Sequence, residues 1–320
     1  MKTKPYVIGM DMGGTNTVFG IVDARGNVLA KNAIKTSTHL DINLYIDELY
    51  VLMSKMIEEV GGKDNIKGIG VGAPNGNYYT GNIEHAPNLN WKGLVPFVEL
   101  MVNKFDIPTV LTNDANAAAI GEMTYGAARG MKNFIMITLG TGVGSGIVID
   151  GKLVYGHDGF AGELGHTTSV RNNGRQCGCG KTGCLETYAS ATGVARTARE
   201  ILEVSKEPSL LRNYPIEAIT SKDVHDAAVQ GDPIAKEIFE YTGKVLGEAL
   251  ADFVAFSAPE AFVLFGGLTK SGDYIMNPII EHMNKNLLPI WKNKVKVLFS
   301  ELKEADAAVL GASALAWEIK

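Results

Sequence analysis

Residues 6–35, "YVIGMDMGGTNTVFGIVDARGNVLAKNAIK", read as strand, glycine-rich turn, strand, tight turn, strand. β-Branched and aromatic residues fill the extended stretches, and "GGTN" and "RGN" hold the residue types that turns favour. The pattern returns at residues 134–154, "FIMITLGTGVGSGIVIDGKLV". In a gapless alignment Gly14-Thr15 falls on Gly140-Thr141 and Gly20-Ile21-Val22 on Gly146-Ile147-Val148, a constant offset of 126 residues. Because the order of elements matches as well, the chain reads as two similar α/β halves. Two such halves face each other across a cleft, the usual place for a ligand.

Working outward from the first meander, residues 41–60 carry apolar residues at helical spacing, with Asp41 as N-cap and Gly61-Gly62 as the stop. "IKGIGVGAP" reads as a buried strand ending at Pro74, "LVPFVELMVNKF" as a helix, and "PTVLTND" as a strand. A helix, "ANAAAIGEMTYGAA", begins just after Asp114. In the second half, helices are expected at about 190–204 and 233–257, with a looped segment, "KEPSLLRNYPIEAITSKDVHD", between them. The strand "AFVLF" runs into Gly266-Gly267, a helix follows Asn277-Pro278, "VKVLFS" is a late strand, and "ADAAVLGASALAWEI" closes the chain as a helix.

Composition removes several classes of function. Of 320 residues 46% are apolar and 20% charged, enough for a sizeable core. The net charge of −5 and the lack of a basic stripe speak against a nucleic-acid binder. Neither a signal-peptide core nor an apolar stretch free of Asp, Glu and Pro is present, so no membrane association is expected. Three unpaired cysteines then point to a reducing, cytoplasmic setting.

Three groups of residues carry chemistry. "DMGGTN" (Asp11, Gly13, Gly14, Thr15, Asn16) and "LGTGVGSG" (Gly140, Thr141, Gly142) place glycine tips between strands, where converging backbone N–H groups bind phosphate oxygens. An acid at the strand end, Asp11, suits Mg²⁺ through water. One glycine hairpin is ordinary; two at matched positions suggest a phosphate clamp. Neither "GTGVGSG", which a strand follows, nor "GKT", whose required upstream glycine is Arg175, is a nucleotide fingerprint. Asp114, where a buried strand meets a helix, reads equally as helix cap or as general base. Glu163 and Glu186, taken singly, read as loop acids. Cys177, Cys179 and Cys184 crowd into eight residues and read as a metal site or as free thiols, with His166 the natural fourth ligand. A site closed by four ligands has no open position for water, so such a metal would be structural.

"DMGGTN", "APNLNW", "TNDANAAA", "LGTGVGSG", "GELGH" and "CGCGKTGCLE", in that order, resemble the ROK group of sugar kinases and their relatives. The resemblance covers nearly the whole chain. It implies the two-domain actin/hexokinase-like (ribonuclease H-like) α/β fold, with a smaller domain of residues 1–117 plus 306–320 and a larger one of 118–305 carrying the zinc loop. It implies an ATP-dependent, Mg²⁺-assisted kinase acting on the 6-hydroxyl of glucose, with N-acetylmannosamine, fructose or mannose as alternative substrates, and Asp114 as the base. Asn88, Asn113, Glu163, His166 and Glu186 would hold the sugar, and Gly266-Gly267 would pass close to adenosine. His166, Cys177, Cys179 and Cys184 would hold a structural Zn²⁺. Homodimers or homotetramers are common among such relatives. The group also contains sugar-responsive regulators with an N-terminal helix-turn-helix, for which the first strand, near Tyr6, leaves no room. One departure stands out: where many members have Pro-Gly beside the sugar, this chain has Pro74-Asn75-Gly76-Asn77 followed by Tyr78-Tyr79.

Overall fold

The structure is a computed structural model and describes residues 4–302 and 304–319. Strands β1 (Tyr6–Met12), β2 (Thr17–Asp23) and β3 (Val28–Ile34) form the expected meander. Helix α1 (Ile42–Glu59) follows, capped by the Asp41 carboxylate on the Asn43 N–H at 2.8 Å and stopped where Gly61 and Gly62 both take positive φ. Strand β4 (Ile66–Gly72) lies parallel to β1. A short ladder, β5 (Ile83–Glu84) with β6 (Leu94–Val95), precedes α2 (Phe97–Phe105) and β7 (Thr109–Thr112). The helix expected over "LVPFVELMVNKF" thus begins only after Pro96, because Leu94 and Val95 pair with β5.

Helix α3 (Asp114–Tyr125) crosses to the second half: β8 (Phe134–Leu139), β9 (Val143–Ile149), β10 (Lys152–Leu153), α4 (Glu186–Ala189), α5 (Ala191–Val204), α6 (Ser221–Val229), α7 (Pro233–Ser257), β11 (Ala261–Phe265), α8 (Asp273–Asn286) and β12 (Lys296–Phe299). Helix α9 (Glu304–Trp317) then returns to pack on β1 and β4 of the first half. Two expectations need correction. The end of the segment read as a loop is α6, because Thr220 and Asp223 close a capping box and Val224, Ala227 and Ala228 are buried. Helix α8 starts at Asp273, before Asn277-Pro278; Pro278 sits inside it, packed against Gly243 of α7, where a Cβ would meet the proline ring at 2.6 Å.

The two five-stranded sheets have the same plan. Their orders are β3-β2-β1-β4-β7 and β10-β9-β8-β11-β12, each with an antiparallel meander on one side and parallel strands on the other. The duplication read from the sequence is real, and the offset of 126 holds for β2 against β9 but becomes 127 for β1 against β8. The first hairpin closes at Met12 opposite Thr17, the second at Leu139 opposite Val143, so the second tip is one residue shorter. Strand by strand, Asp11 is therefore the counterpart of Thr138.

Separate apolar cores fill the halves, one around Phe19, Tyr45 and Phe97, the other around Phe239, Leu250 and Phe262. Between them lies α3, which buries Ala115, Ala117 and Ala119. Small residues are required on more than one face: a Cβ on Gly121 would sit 2.7 Å from Gly311 of α9, and one on Gly146 of β9 would sit 2.7 Å from the Ala119 methyl. A helix sandwiched in this way shows no amphipathic stripe. Its N-terminus is thereby fixed between the two sheets. Among the described residues, no helix is long and apolar enough to cross a membrane.

Candidate active site

Asn113, not Asp114, caps α3: its side-chain oxygen accepts from the Asn116 N–H at 2.7 Å. The capping role that competed for Asp114 is therefore taken. Asp114 is the first helical residue, and its Oδ1 accepts from the Ala115 N–H at 2.8 Å. The carboxylate is open to a cleft of about 430 Å³, on whose wall it is joined by Asn88, Asn113, Glu163, His166 and Glu186. Gly140, Thr141, Gly142 and Gly266 line the same cleft. Every candidate sugar contact and the second hairpin thus converge on one space.

A smaller cavity of about 200 Å³ adjoins it, sharing Asp114, Ala115, Thr138 and Phe265 and adding Asp11. Protein surrounds these carboxyls closely enough to disfavour their charges. Burial, reinforced by the negative charge of Asp114, pushes Asp11 up to about 6. Burial also raises Asp114, outweighing its hydrogen bond from Ala115. Glu163 is raised by burial and by the charges of Asp114 and Glu186, against the opposing pull of His166. A carboxyl whose proton affinity is raised is a better base once ionised, which suits Asp114 for taking a proton from a hydroxyl.

The remaining expected residues fall differently. Gly13, Gly14, Thr15 and Asn16 form the tip of the first hairpin, closed by the Gly13 N–H donating to the Asn16 carbonyl at 2.9 Å, and do not line the cleft wall. Gly14 supports that wall indirectly, since a Cβ there would sit 2.5 Å from the Asn88 carbonyl oxygen. Gly267 also lies off the wall. Gly266 has φ of 112° and passes so close to β8 that a Cβ would meet the Leu139 carbonyl at 2.6 Å; its glycine is demanded by the backbone itself. Thr138, Ser145 and Phe265 line the cleft without having been expected. Thr138 was legible in principle: allowing a one-residue gap in the repeat places it opposite Asp11.

A short 3₁₀ turn over Leu164–His166 puts Glu163 and His166 on one side of the chain. The His166 Nδ1 lies 3.8 Å from the Cys177 sulfur, Cys179 and Cys184 are 3.7 Å apart, and the four ligand atoms all lie within 4.8 Å of one another. A tetrahedral ion bound at about 2.3 Å to sulfur has ligand–ligand edges of about 3.8 Å, so the group fits an ion of zinc's size. The loop is built for closeness: Gln176 bridges Thr182, Thr168 bridges Cys184, and Gly180 and Gly183 turn with positive φ. Buried Arg175 anchors its base, donating to Glu200 at 3.0 Å, to the Thr187 carbonyl at 2.7 Å and to Thr197 at 2.9 Å, and lying over the Tyr188 ring. Two residues after Cys184, Glu186 opens α4 and accepts from the Val143 N–H at 3.0 Å, which locks this loop to the second hairpin. Gly142 lets the Glu186 carboxylate come this close, since a Cβ there would meet it at 2.2 Å and displace it.

A model of the ROK family matches residues 7–319. The chain belongs to the ROK family. A glucokinase of Halalkalibacterium halodurans is 37% identical over 98% of this chain and 95% of its own length. The crystal structure of a ROK family glucokinase from Streptomyces griseus, in complex with glucose and AMPPNP, is 32% identical, covers 98% of this chain and 100% of its own, and superposes with a TM-score of 0.79. A xylose repressor of Caldicellulosiruptor bescii is 28% identical over 98% of this chain and 78% of its own length. The two-halved architecture is thus the actin/hexokinase-like fold of the ROK kinases.

Proposed function

We propose that this ROK-family chain is a glucokinase, transferring the γ-phosphoryl group of ATP to the 6-hydroxyl of glucose. The observation that carries the reading is the single cleft on which Asp114, the second hairpin and the Asn88/Asn113/Glu163/His166/Glu186 set converge. The similarity to the H. halodurans and S. griseus glucokinases selects glucose among hexoses.

The chemistry follows from the side chains. Glu163, Glu186 and the amides of Asn88 and Asn113 present acceptors and donors to vicinal hydroxyls, and an analogue lacking one would strand a polar group. Asp114 accepts the proton of the 6-hydroxyl as its oxygen bonds to the γ-phosphorus. The bond from that phosphorus to the β–γ bridging oxygen breaks, and ADP leaves with the electron pair. Backbone N–H groups at the two hairpin tips hold phosphate oxygens, with Gly14–Asn16 on one side and Thr141–Gly142 on the other, since the Gly13 and Gly140 N–H groups close their own hairpins. Asp11 would hold, through water, the Mg²⁺ that ATP carries, which neutralises phosphate charge.

We assign the Cys177, Cys179, Cys184 and His166 set to a structural zinc ion that stiffens the loop between Glu163 and Glu186. The lobes are assigned as residues 1–117 with 306–320 and 118–305, a partition supported by the packing of α9 on β1 and β4. The test is a panel of glucose, mannose, fructose and N-acetylmannosamine with Mg-ATP. Glucose is expected to give the highest kcat/KM; absence of sugar-dependent ADP release across the panel would overturn the reading.

A further inference from the structure

The loop after β4, where the sequence departs from the family pattern, reaches across to the other half. Asn77 is only 2% exposed, and its side-chain amide donates to the Asp158 carbonyl at 2.8 Å. Its oxygen accepts from the Tyr79 N–H at 2.9 Å. The Tyr79 hydroxyl donates to the Gly156 carbonyl at 3.0 Å. Tyr78 stacks on Tyr155 with ring centroids 4.1 Å apart and planes 12° from parallel. Every one of the cross-contacts joins residues 77–79 of the first half to residues 155–158 of the second.

The second-half partner is the loop that delivers Glu163. It turns at Gly156, Gly159 and Gly162, all with positive φ. Such a loop holds one conformation only if something outside it does the holding, because glycine adds backbone freedom. On its far side the loop is fixed to β9: the Ser145 hydroxyl donates to the Gly162 carbonyl and accepts from the Leu164 N–H at 3.2 Å. On its near side the tie is to the first half, and it is close, since a Cβ on Gly159 would sit 2.5 Å from the Asn77 side-chain oxygen. Glu163 therefore stands beside two anchors, one in each half. Neither Asn77, Tyr78 nor Tyr155 lines the cleft.

We infer that Asn77, Tyr78 and Tyr155 form a clasp between the halves that positions Glu163 on the sugar, and so govern sugar affinity without touching ATP or the reacting hydroxyl. They are positioning residues, and the inference rests on the sugar-kinase reading of the cleft. Releasing the clasp leaves a glycine-rich loop that the sugar must order on binding, a cost that falls on the sugar's affinity and not on the phosphoryl transfer that follows.

The test uses the full chain and the variants Asn77→Ala, Tyr78→Ala, Tyr155→Ala and Tyr155→Phe. Tyr78→Ala alters a partly exposed ring, which guards against a folding defect at buried Asn77. Steady-state kinetics with glucose and Mg-ATP are measured beside hydrogen exchange of peptides covering residues 154–166. The three alanine variants are expected to raise the glucose KM by about five-fold, a size suited to one aromatic pair or buried hydrogen bond. Their ATP KM and kcat should stay within about two-fold of wild type, and residues 154–166 should exchange faster. Tyr155→Phe keeps the stacked ring and should behave as wild type. An unchanged glucose KM, or a parallel loss in all three kinetic parameters, overturns the clasp. A wild-type protein inactive on every hexose sinks the kinase reading instead. The exchange rates still decide the clasp in that case, and unchanged exchange refutes it.

Discussion

Replacing Asp11 by Asn should make the ligand-free protein more stable while disabling it. Asp11 titrates at about 6 where an ordinary carboxyl titrates at 3.8, because it is buried beside Asp114. A carboxyl with a raised folded pKa costs stability wherever it is ionised. The penalty is fully present above about 6 and fades as pH falls toward 3.8. At about 1.4 kcal/mol per pH unit the ceiling is about 3 kcal/mol. Asp11 is partly exposed, so about half of that is expected in practice. For a chain of 320 residues, about 1.5 kcal/mol raises the melting temperature by about 2 °C. The amide occupies the same volume without the charge, so Asp11→Asn should gain this increment at pH 8, roughly half of it at pH 5, and about a fifth of it near pH 4. In an Asp114→Asn background the gain should shrink, because one of the two causes is gone. Thermal unfolding of both variants at three pH values reads the effect. A gain that is equal at pH 8 and pH 5, or a loss at pH 8, would refute the electrostatic reasoning.

Asp114→Asn should lower kcat by about 10²- to 10⁴-fold while glucose still binds, as equilibrium titration would show; unaltered turnover removes Asp114 as base. For the same reason the acid limb of the wild-type kcat/KM profile should lie above the ordinary carboxyl range, since Asp114 is raised by burial and must be ionised to act. Glu163→Gln should raise the glucose KM by about ten-fold with little change in the ATP KM, and a parallel rise in both would contradict its place at the sugar. Metal analysis of undialysed protein should return about one zinc per chain. Cys184→Ser should lose the metal and weaken glucose binding while far-ultraviolet circular dichroism stays unchanged, because Arg175 holds the base of the loop independently of the metal. Full zinc in Cys184→Ser would exclude that ligand set.

Much of this site was legible because its chemistry is local in the chain. A glycine tip between two strands is a short-range signal, and so are three cysteines within eight residues. What escaped was set by pairing across the molecule. The one-residue difference between the hairpins is fixed by strand register, which no local spacing reveals. Nor does composition show that Leu94-Val95 is a strand, since its partner, Ile83-Glu84, lies ten to twelve residues earlier. The capping question at Asp114 had no answer in the sequence, because Asn113 and Asp114 are both good caps; the fold settles it by giving the cap to Asn113.

The duplication also explains why the two halves cannot be equivalent. A clamp for a chain of phosphates gains from two similar hairpins, but transfer has a direction, with a base at one end and a leaving group at the other. The strand-end position that carries a carboxyl in the first half, Asp11, carries a hydroxyl in the second, Thr138, whose Oγ1 accepts from the Gly144 N–H at 3.0 Å. A second carboxyl at Thr138 would share the small cavity with Asp11 and Asp114, where one neighbouring charge already helps push Asp11 to about 6. Three carboxyls in that space would hold protons near neutral pH and repel the triphosphate. Thr138 satisfies the backbone of its own hairpin without adding a third carboxyl to the small cavity that holds Asp11 and Asp114. The repeat builds the walls; the departure from it at this one position keeps one more charge out of the small cavity.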